Sequence, residues 1–384
     1  MIKRVRICNF KSLGDVTVDL EPITVLIGRS GTGKTNFVEA LRFLRDLLRS
    51  RNLGTIVQQS GGWNRILCAT ATKPLQLLFD VTFNVSGESE DYNYVLSFQQ
   101  PAQPGAGPSL NEEKLALGEQ VLFHQKQRKW IQPPSILNPP TPTDFMLGAV
   151  TGVREITIAY LMLANEIGCY DFPSTILLPS QAAPLPPGIE GLADNGANSL
   201  QVFQTFVSNL TSLNHWRSIV ASLRSLNRSV QGVDIRLPDK NAVTVSHAVG
   251  NHALVLDLAQ ESEGFRRFLA HLLALYQSPP KQTLIFEEPE RGIHPGALAA
   301  LAGEFKICAT KRGGQIILTT HSPELLNQFG AECIRVVEMK DSQTQIGPLA
   351  ADQFESLKEH LLNPGELLTV IPARSSMPEP VTVG

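Results

Sequence analysis

The chain has 384 residues, 42% of them hydrophobic and 18% charged, which suits one large or two ordinary folded domains with a sizeable core. Lysine plus arginine number 33 against 36 aspartate plus glutamate, a net charge of −3, so a globally basic nucleic-acid coat is excluded and any such contact must be local. Cys8, Cys68, Cys169, Cys308 and Cys333 form no CxxC pair, no apolar run approaches a bilayer span, and the basic opening strand is not a signal peptide; disulfide scaffold, zinc ribbon and membrane protein are set aside for a cytoplasmic one.

In chain order, the first chemical signal follows the apolar run Ile23-Thr24-Val25-Leu26-Ile27. Gly28-Arg29-Ser30-Gly31-Thr32-Gly33-Lys34-Thr35 has the spacing GxxxxGK[ST]. Such a loop lets backbone N–H groups curl around a β-phosphate, its lysine reaches the β/γ-oxygens and its hydroxyl ligates Mg²⁺. The helix starting near Gly33 adds the positive end of its dipole. That helix carries Phe37, Leu41, Leu44 and Leu48 on one face and Arg42, Arg45 and Arg49 on another, with Arg51 beyond, the pattern of an amphipathic helix with a solvated charged face.

Leu75 to Gln100 alternates apolar and polar residues around a Ser-Gly-Glu-Ser-Glu-Asp turn, which predicts an antiparallel hairpin, and a further strand pair is expected from Leu115 to Ile131. Lys126, Arg128, Lys129 and Trp130 mark an exposed strand end. Pro-rich linkers are expected at Pro101 to Pro108 and Pro133 to Pro142, then helices over Thr143 to Ile167 and Ser199 to Leu226, flanking a loop from Pro173 to Asn195. Sustained heptads are absent, which excludes a long coiled coil.

Three later segments narrow the chemistry. In Gln260-Glu261-Ser262-Glu263-Gly264, Ser262 predicts an N-cap and Gly264 permits close backbone approach, so the helix that continues to Tyr276 opens on a terminus able to hold an anion. Thr283-Leu284-Ile285-Phe286-Glu287-Glu288-Pro289-Glu290 is an apolar strand ending in acids, with Glu287 placed to hold Mg²⁺, directly or through water, and Glu288 to act as general base. After a helix from Gly296 to Thr310, the buried strand Gln315 to Thr319 leads into Thr320-His321-Ser322-Pro323. His321 then emerges at a strand's carboxyl end, where open parallel sheets bind ligands.

In this order the four segments resemble the ABC-type ATPase heads, of the branch that includes the RecF-like and OLD-like (overcoming lysogenization defect) AAA-family ATPases. Ile2 to Leu13 is similar to that branch's first strand and Gly28 to Asn36 to its Walker A. Glu287-Glu288-Pro289-Glu290 with Gly292-Ile293-His294-Pro295 resembles its Walker B and D-loop, and Thr319 to Pro323 its switch histidine. The resemblance implies an α/β P-loop NTPase fold: an ABC-type core with a mixed central sheet flanked by helices, an antiparallel β-lobe and an inserted helical lobe. Residues 1–60 and 245–370 would form the core, 61–132 the β-lobe, 143–244 the helical lobe with loops, and 371–384 a flexible tail.

It further implies that Gly28, Arg29, Ser30, Gly31, Thr32, Gly33, Lys34, Thr35 and Asn36 cradle ATP, that Thr35 and Glu287 hold Mg²⁺, and that Lys34, Glu288 and His321 carry hydrolysis. Ser262-Glu263-Gly264 becomes a signature motif meeting the nucleotide of the opposite subunit, in an ATP-sandwich homodimer or higher oligomer. The chain departs from its relatives at Ser30, where many carry Asn, at Thr32 and Thr35, where many carry Ser, and at Glu287, usually Asp. The signature lacks paired small residues before its glycine, and Gln58 or Gln59 is the candidate Q-loop residue. OLD-type nucleases append a metal-binding TOPRIM domain; the segment after this core has no room for one, so an effector, a nuclease or TOPRIM-like protein, is expected on another polypeptide. Because RecF-like heads bind duplex DNA across their paired surface, Arg42, Arg45, Arg49 and Arg51 become a candidate phosphate stripe and Lys126 to Trp130 a second one. The expected role is an ATP-driven switch in DNA repair or defence against foreign DNA. Two rivals are a scaffold subunit that holds ATP with negligible turnover and the nucleotide-binding subunit of a transporter, the latter opposed by the weak signature and Q-loop.

Overall fold

A computed structural model describes residues 1–70, 76–99, 108–143, 145–178, 191–208, 213–236 and 242–376. Two compact units emerge, the first from Met1–Ile167, Ala331–Leu362 and Val370–Gly384, the second from Gly168–Gly330 and Asn363–Thr369.

Period-two alternation builds most of the first unit. Gln76–Phe83 buries Leu77, Phe79, Val81 and Phe83, and Tyr92–Gln99 buries Tyr92, Tyr94, Leu96 and Phe98, as a pleated strand with one covered face must. These strands lie in a seven-stranded antiparallel sheet in the spatial order Leu13–Asp19, Ile2–Phe10, Gln76–Phe83, Tyr92–Gln99, Ser109–Leu117, Gln120–Lys126, Lys129–Gln132. The opening hairpin is thus an integral part of this sheet, joined through the pairing of Val5 with Val81 and Ile7 with Phe79. Where a strand pair was expected from Leu115 to Ile131, three strands stand, the first beginning at Ser109. A separate set consists of the fully buried strand Ile23–Ile27, parallel to Ile334–Lys340, which pairs antiparallel with Gln343–Pro348.

The helix expected from Thr143 to Ile167 is shorter. It spans Arg154–Tyr160 and runs into a wider turn at Leu161–Asn165. Buried Glu113 explains the difference, because its carboxylate accepts from the N–H of Met146 at 2.8 Å and of Leu147 at 3.0 Å, as well as from Tyr94 Oη and Gln125 Nε2. Those backbone donors are claimed by the sheet instead of a helix, and burial pushes the Glu113 carboxyl above its ordinary range. The tail expected from 371 is anchored as far as Ser376, whose N–H donates to Pro348 O at 2.9 Å while Arg374 N donates to Gln353 Oε1 at 2.8 Å. Residues 377–384 lie outside the described residues, as do most of the linker from Pro101 to Pro108 and 179–190 of the loop from Pro173 to Asn195.

In the second unit Thr283–Glu287 and Gln315–Thr319 run parallel, connected by the helix Pro295–Lys311, a right-sized βαβ crossover. Ser199 to Leu226 forms two helices, Ser199–Ser208 and Leu213–Leu226. The segment assigned to helices and loops up to 244 instead enters a three-stranded antiparallel sheet, Val230–Arg236, Ala242–Val249 and His252–Asp257. The alternation Val243, Val245, His247, Val249 before Gly250 was its signal.

The helix Glu263–Tyr276 is buried along most of its length, and His271 on it is ringed by Phe172, Phe286 and Phe305, with Nδ1 2.6 Å from the Arg267 carbonyl. Burial lowers its pKa from 6.5 to about 4. The unfolded chain therefore takes up a proton near pH 6.5 that the folded chain refuses until about pH 4, so stability is full above 6.5 and lost as pH falls between these values. Denaturant melts at pH 7 and pH 4.5 should show a drop for the native protein that exceeds that of His271→Phe by about 2 kcal/mol. Equal drops would refute the assignment.

Candidate functional site

In the first unit the phosphate loop is shaped by contacts that only glycine tolerates. A Cβ on Gly28 would lie 2.1 Å from the Val337 carbonyl oxygen, and one on Gly33, whose φ is +103°, 2.0 Å from Thr344 Oγ1. Lys34 is buried, and its ammonium donates to the carbonyls of Gly28 at 2.7 Å and Arg29 at 3.0 Å, closing the loop on itself. Thr32 Oγ1 donates to the Arg29 carbonyl at 2.9 Å, while Arg29, Ser30, Gly31 and Thr35 face solvent. Gly33 begins the helix Lys34–Ser50 without a side-chain cap, at the helix end whose dipole and N–H groups favour an anion. The Asn36 side chain donates to Ser12 Oγ at 2.6 Å.

In the second unit the parallel register sets Glu287 opposite Thr319. Glu288 N–H then donates to both Thr319 O and Oγ1 at 3.1 Å, and its left-handed φ of +43° turns the side chain out of the strand line. The Glu288 carboxylate meets Arg291 Nε at 2.8 Å and lies 3.9 Å from His321 Nε2, so the predicted base and the predicted histidine share one locus. The ion pair with Glu288 raises the Arg291 pKa, and Arg291 also reaches Asp171 at 3.5 Å.

Glu290 is a site residue that the sequence reading did not assign. Its Oε1 accepts from His321 N at 2.8 Å and Thr320 Oγ1 at 2.9 Å, tying the acidic turn to the histidine turn. Oε2 is buried without a hydrogen-bond partner among the described residues, and burial pushes the carboxyl above its ordinary range. The third acid of Glu-Glu-Pro-Glu was the only available signal. Glu290→Ala should lower the turnover number about tenfold with KM within about twofold, because it frees the His321 turn without touching the phosphate loop. Glu290→Gln, which keeps an acceptor, should retain most activity; steady-state kinetics on both variants decides, and equal losses would sink the positioning role.

Ser262 Oγ accepts from Phe265 N at 3.2 Å, and Glu263 pairs with Arg267 at 2.8 Å. A Cβ on Gly264 would meet the Gly292 carbonyl at 2.7 Å. Ser262 to Gly264 therefore packs on the turn that follows Glu288, and the second unit brings together the signature, acidic and histidine segments. The phosphate-loop residues belong to the first.

The candidate phosphate stripe needs correction. Arg45 is buried and paired with Asp46, Arg49 Nε donates to the Ala164 carbonyl at 2.5 Å, and Arg51 Nη1 to that of Gly148 at 2.9 Å. Arg42 and Arg49 are half-buried and Arg51 exposed, so this side of the helix is in part a packing surface rather than a fully solvated stripe. In the second patch Trp130 Nε1 donates to Pro140 O and Lys126 lies 3.5 Å from Glu112. Gln58 and Gln59 are exposed at the end of the helix Leu53–Gln59. No disulfide joins the cysteines, and among the described residues no helix is long and apolar enough to cross a membrane and no metal-holding cluster of His, Cys, Asp and Glu occurs.

A glycine-shaped phosphate loop between a buried strand and a helix, with acids and a histidine at the ends of parallel strands, defines a P-loop ATPase head of mixed α/β fold. Residues 23–327 match the family described as "AAA domain, putative AbiEii toxin, Type IV TA system". The chain belongs to this family of AAA-type ATPase domains. It is 22% identical over 382 residues to the OLD nuclease of Thermus scotoductus, covering 94% of this chain and 67% of the nuclease. Its fold is similar to the SMC head bound to the C-winged helix domain of ScpA, at TM-score 0.57 and 15% identity over 92% of this chain and 99% of that one. A second likeness is to an SMC head with an extended coiled coil bound to the C-terminal domain of ScpA, derived from Pyrococcus furiosus, at TM-score 0.54 and 12% identity over 94% and 99%. At these identities the likeness is one of fold.

Proposed function

We propose that this chain binds ATP with Mg²⁺ and hydrolyses it as a conformational switch, pairing head to tail with a second copy in an ATP sandwich and regulating a separate effector in DNA repair or defence against foreign DNA. The observation that carries the hydrolytic reading is the Glu288–His321 pair, 3.9 Å apart at the carboxyl end of parallel strands. Glu288 accepts a proton from the attacking water, His321 orients that water or the γ-phosphate, and Lys34 stabilises the phosphoryl oxygens. Thr35 and Glu287 offer hard oxygen donors of the kind Mg²⁺ takes: a solvent-facing hydroxyl on the uncapped helix turn and a half-buried carboxylate. Bound there, the ion would neutralise charge on the phosphates. The OLD nuclease relative and the ScpA-bound SMC heads support an effector partner and a nucleic-acid setting by analogy.

A scaffold that holds ATP without turnover is favoured by one contact, the 2.8 Å ion pair that engages Glu288 with Arg291. ATP turnover by purified protein, measured with and without duplex DNA and across protein concentration, separates the readings. Turnover that rises with concentration and with DNA is expected for the switch; binding without turnover under every condition would replace it with the scaffold.

A further inference from the structure

Asn36, Ser12, Thr344 and Thr32 form a single line of hydrogen bonds in the first unit, and proton counting gives it one direction. Thr344 Oγ1 donates its only proton to the Thr32 carbonyl at 2.8 Å, so in its 2.6 Å contact with Ser12 Oγ it must accept. Ser12 therefore donates to Thr344 and accepts from Asn36 Nδ2 at 2.6 Å. The backbone closes the same circuit, with Thr344 N–H donating to the Ser12 carbonyl at 2.7 Å. Thr344 is 1% exposed, and its hydroxyl stands where a Gly33 side chain would be.

We propose that Thr344 and Ser12 are positioning residues for nucleotide binding: their hydroxyl relay fixes the Thr32 carbonyl, and through it the Gly33 turn and the first helical N–H groups, in the orientation that receives phosphate. The inference rests on the ATP reading of the loop. Its physical basis is preorganisation: the Thr32–Gly33 peptide is locked before ligand arrives, so binding does not have to order it. Asn36 then serves the loop through Ser12, to which it donates one amide proton.

Thr344→Val keeps the side-chain shape and deletes the hydroxyl, leaving the Thr32 carbonyl without its donor. Fluorescent-ATP titration should show affinity weakened about tenfold. ATP turnover should show KM raised by a similar factor and kcat changed less than threefold, with the ligand-free melting temperature falling by about 2–4 °C for the lost buried hydrogen bond. Thr344→Ser, which restores the hydroxyl, should return affinity to within about twofold of native. Ser12→Ala, at a half-exposed position, breaks the same relay and should weaken binding in parallel if the valine variant folds poorly. Native-like affinity in Thr344→Val and Ser12→Ala, beside a binding-deficient Lys34→Ala control, overturns the relay while leaving the ATP site intact. Equal impairment of Thr344→Ser and Thr344→Val also overturns it, since methyl packing would then be the cause. A native protein that binds no nucleotide overturns the ATP reading itself, and the relay's purpose with it.

Discussion

Glu288→Gln should lower ATP turnover by at least about 100-fold while leaving nucleotide bound, because a positioned general base contributes on the order of 10²–10⁴ in rate. The substitution keeps the side-chain size and the backbone N–H that donates to Thr319 O and Oγ1 at 3.1 Å, so the left-handed turn at φ +43° survives. What disappears is the carboxylate facing His321 and the ion pair with Arg291 at 2.8 Å. That pair is half-exposed and contributes little to stability, so the melting temperature should hardly change. If hydrolysis drives release of a closed dimer, size-exclusion chromatography with ATP should also show the variant accumulating as the dimer. Turnover within a few-fold of native would remove Glu288 from the chemistry.

Lys34→Ala should abolish detectable ATP binding and turnover together, a loss of about 100-fold or more in affinity, since the ammonium is the loop's own charge for the β/γ-phosphates. The loop's own hydrogen bonds add a second consequence. Lys34 donates to the Gly28 and Arg29 carbonyls; its removal takes that donor from the Gly28 carbonyl, while Thr32 Oγ1 still serves Arg29 O, and should cost about 1 kcal/mol of stability even without ligand. Lys34→Arg keeps the charge, but a planar guanidinium on a buried stem does not reproduce those two carbonyl bonds, so binding should stay impaired. Isothermal titration beside thermal melts checks both effects. Retained affinity in Lys34→Ala would mean that the loop does not hold phosphate.

Local spacing made part of the site legible. The phosphate loop is short, its glycines answer to backbone geometry within a few residues, and a buried strand followed by an amphipathic helix leaves one way to read it. Ser262 as an N-cap is equally local, an oxygen beside the N–H it satisfies. Helical spacing also showed that Arg42, Arg45 and Arg49 share a side of the helix, but spacing says nothing of what packs there. Asp46 pairs with Arg45 and the Ala164 carbonyl with Arg49 on that face.

By itself, then, the sequence determined the loop that can cradle phosphate, the strand-terminal acids and histidine, and the family to which they belong, because each is written in neighbouring residues. Only the tertiary structure decided what those residues touch. Glu290 meets His321 because a parallel register sets Glu287 beside Thr319, and Thr344 reaches the phosphate loop from a strand 332 positions beyond Ser12. Periodicity carries no information across such separations: strand register and sheet order bring those groups together, and those depend on how the whole core packs.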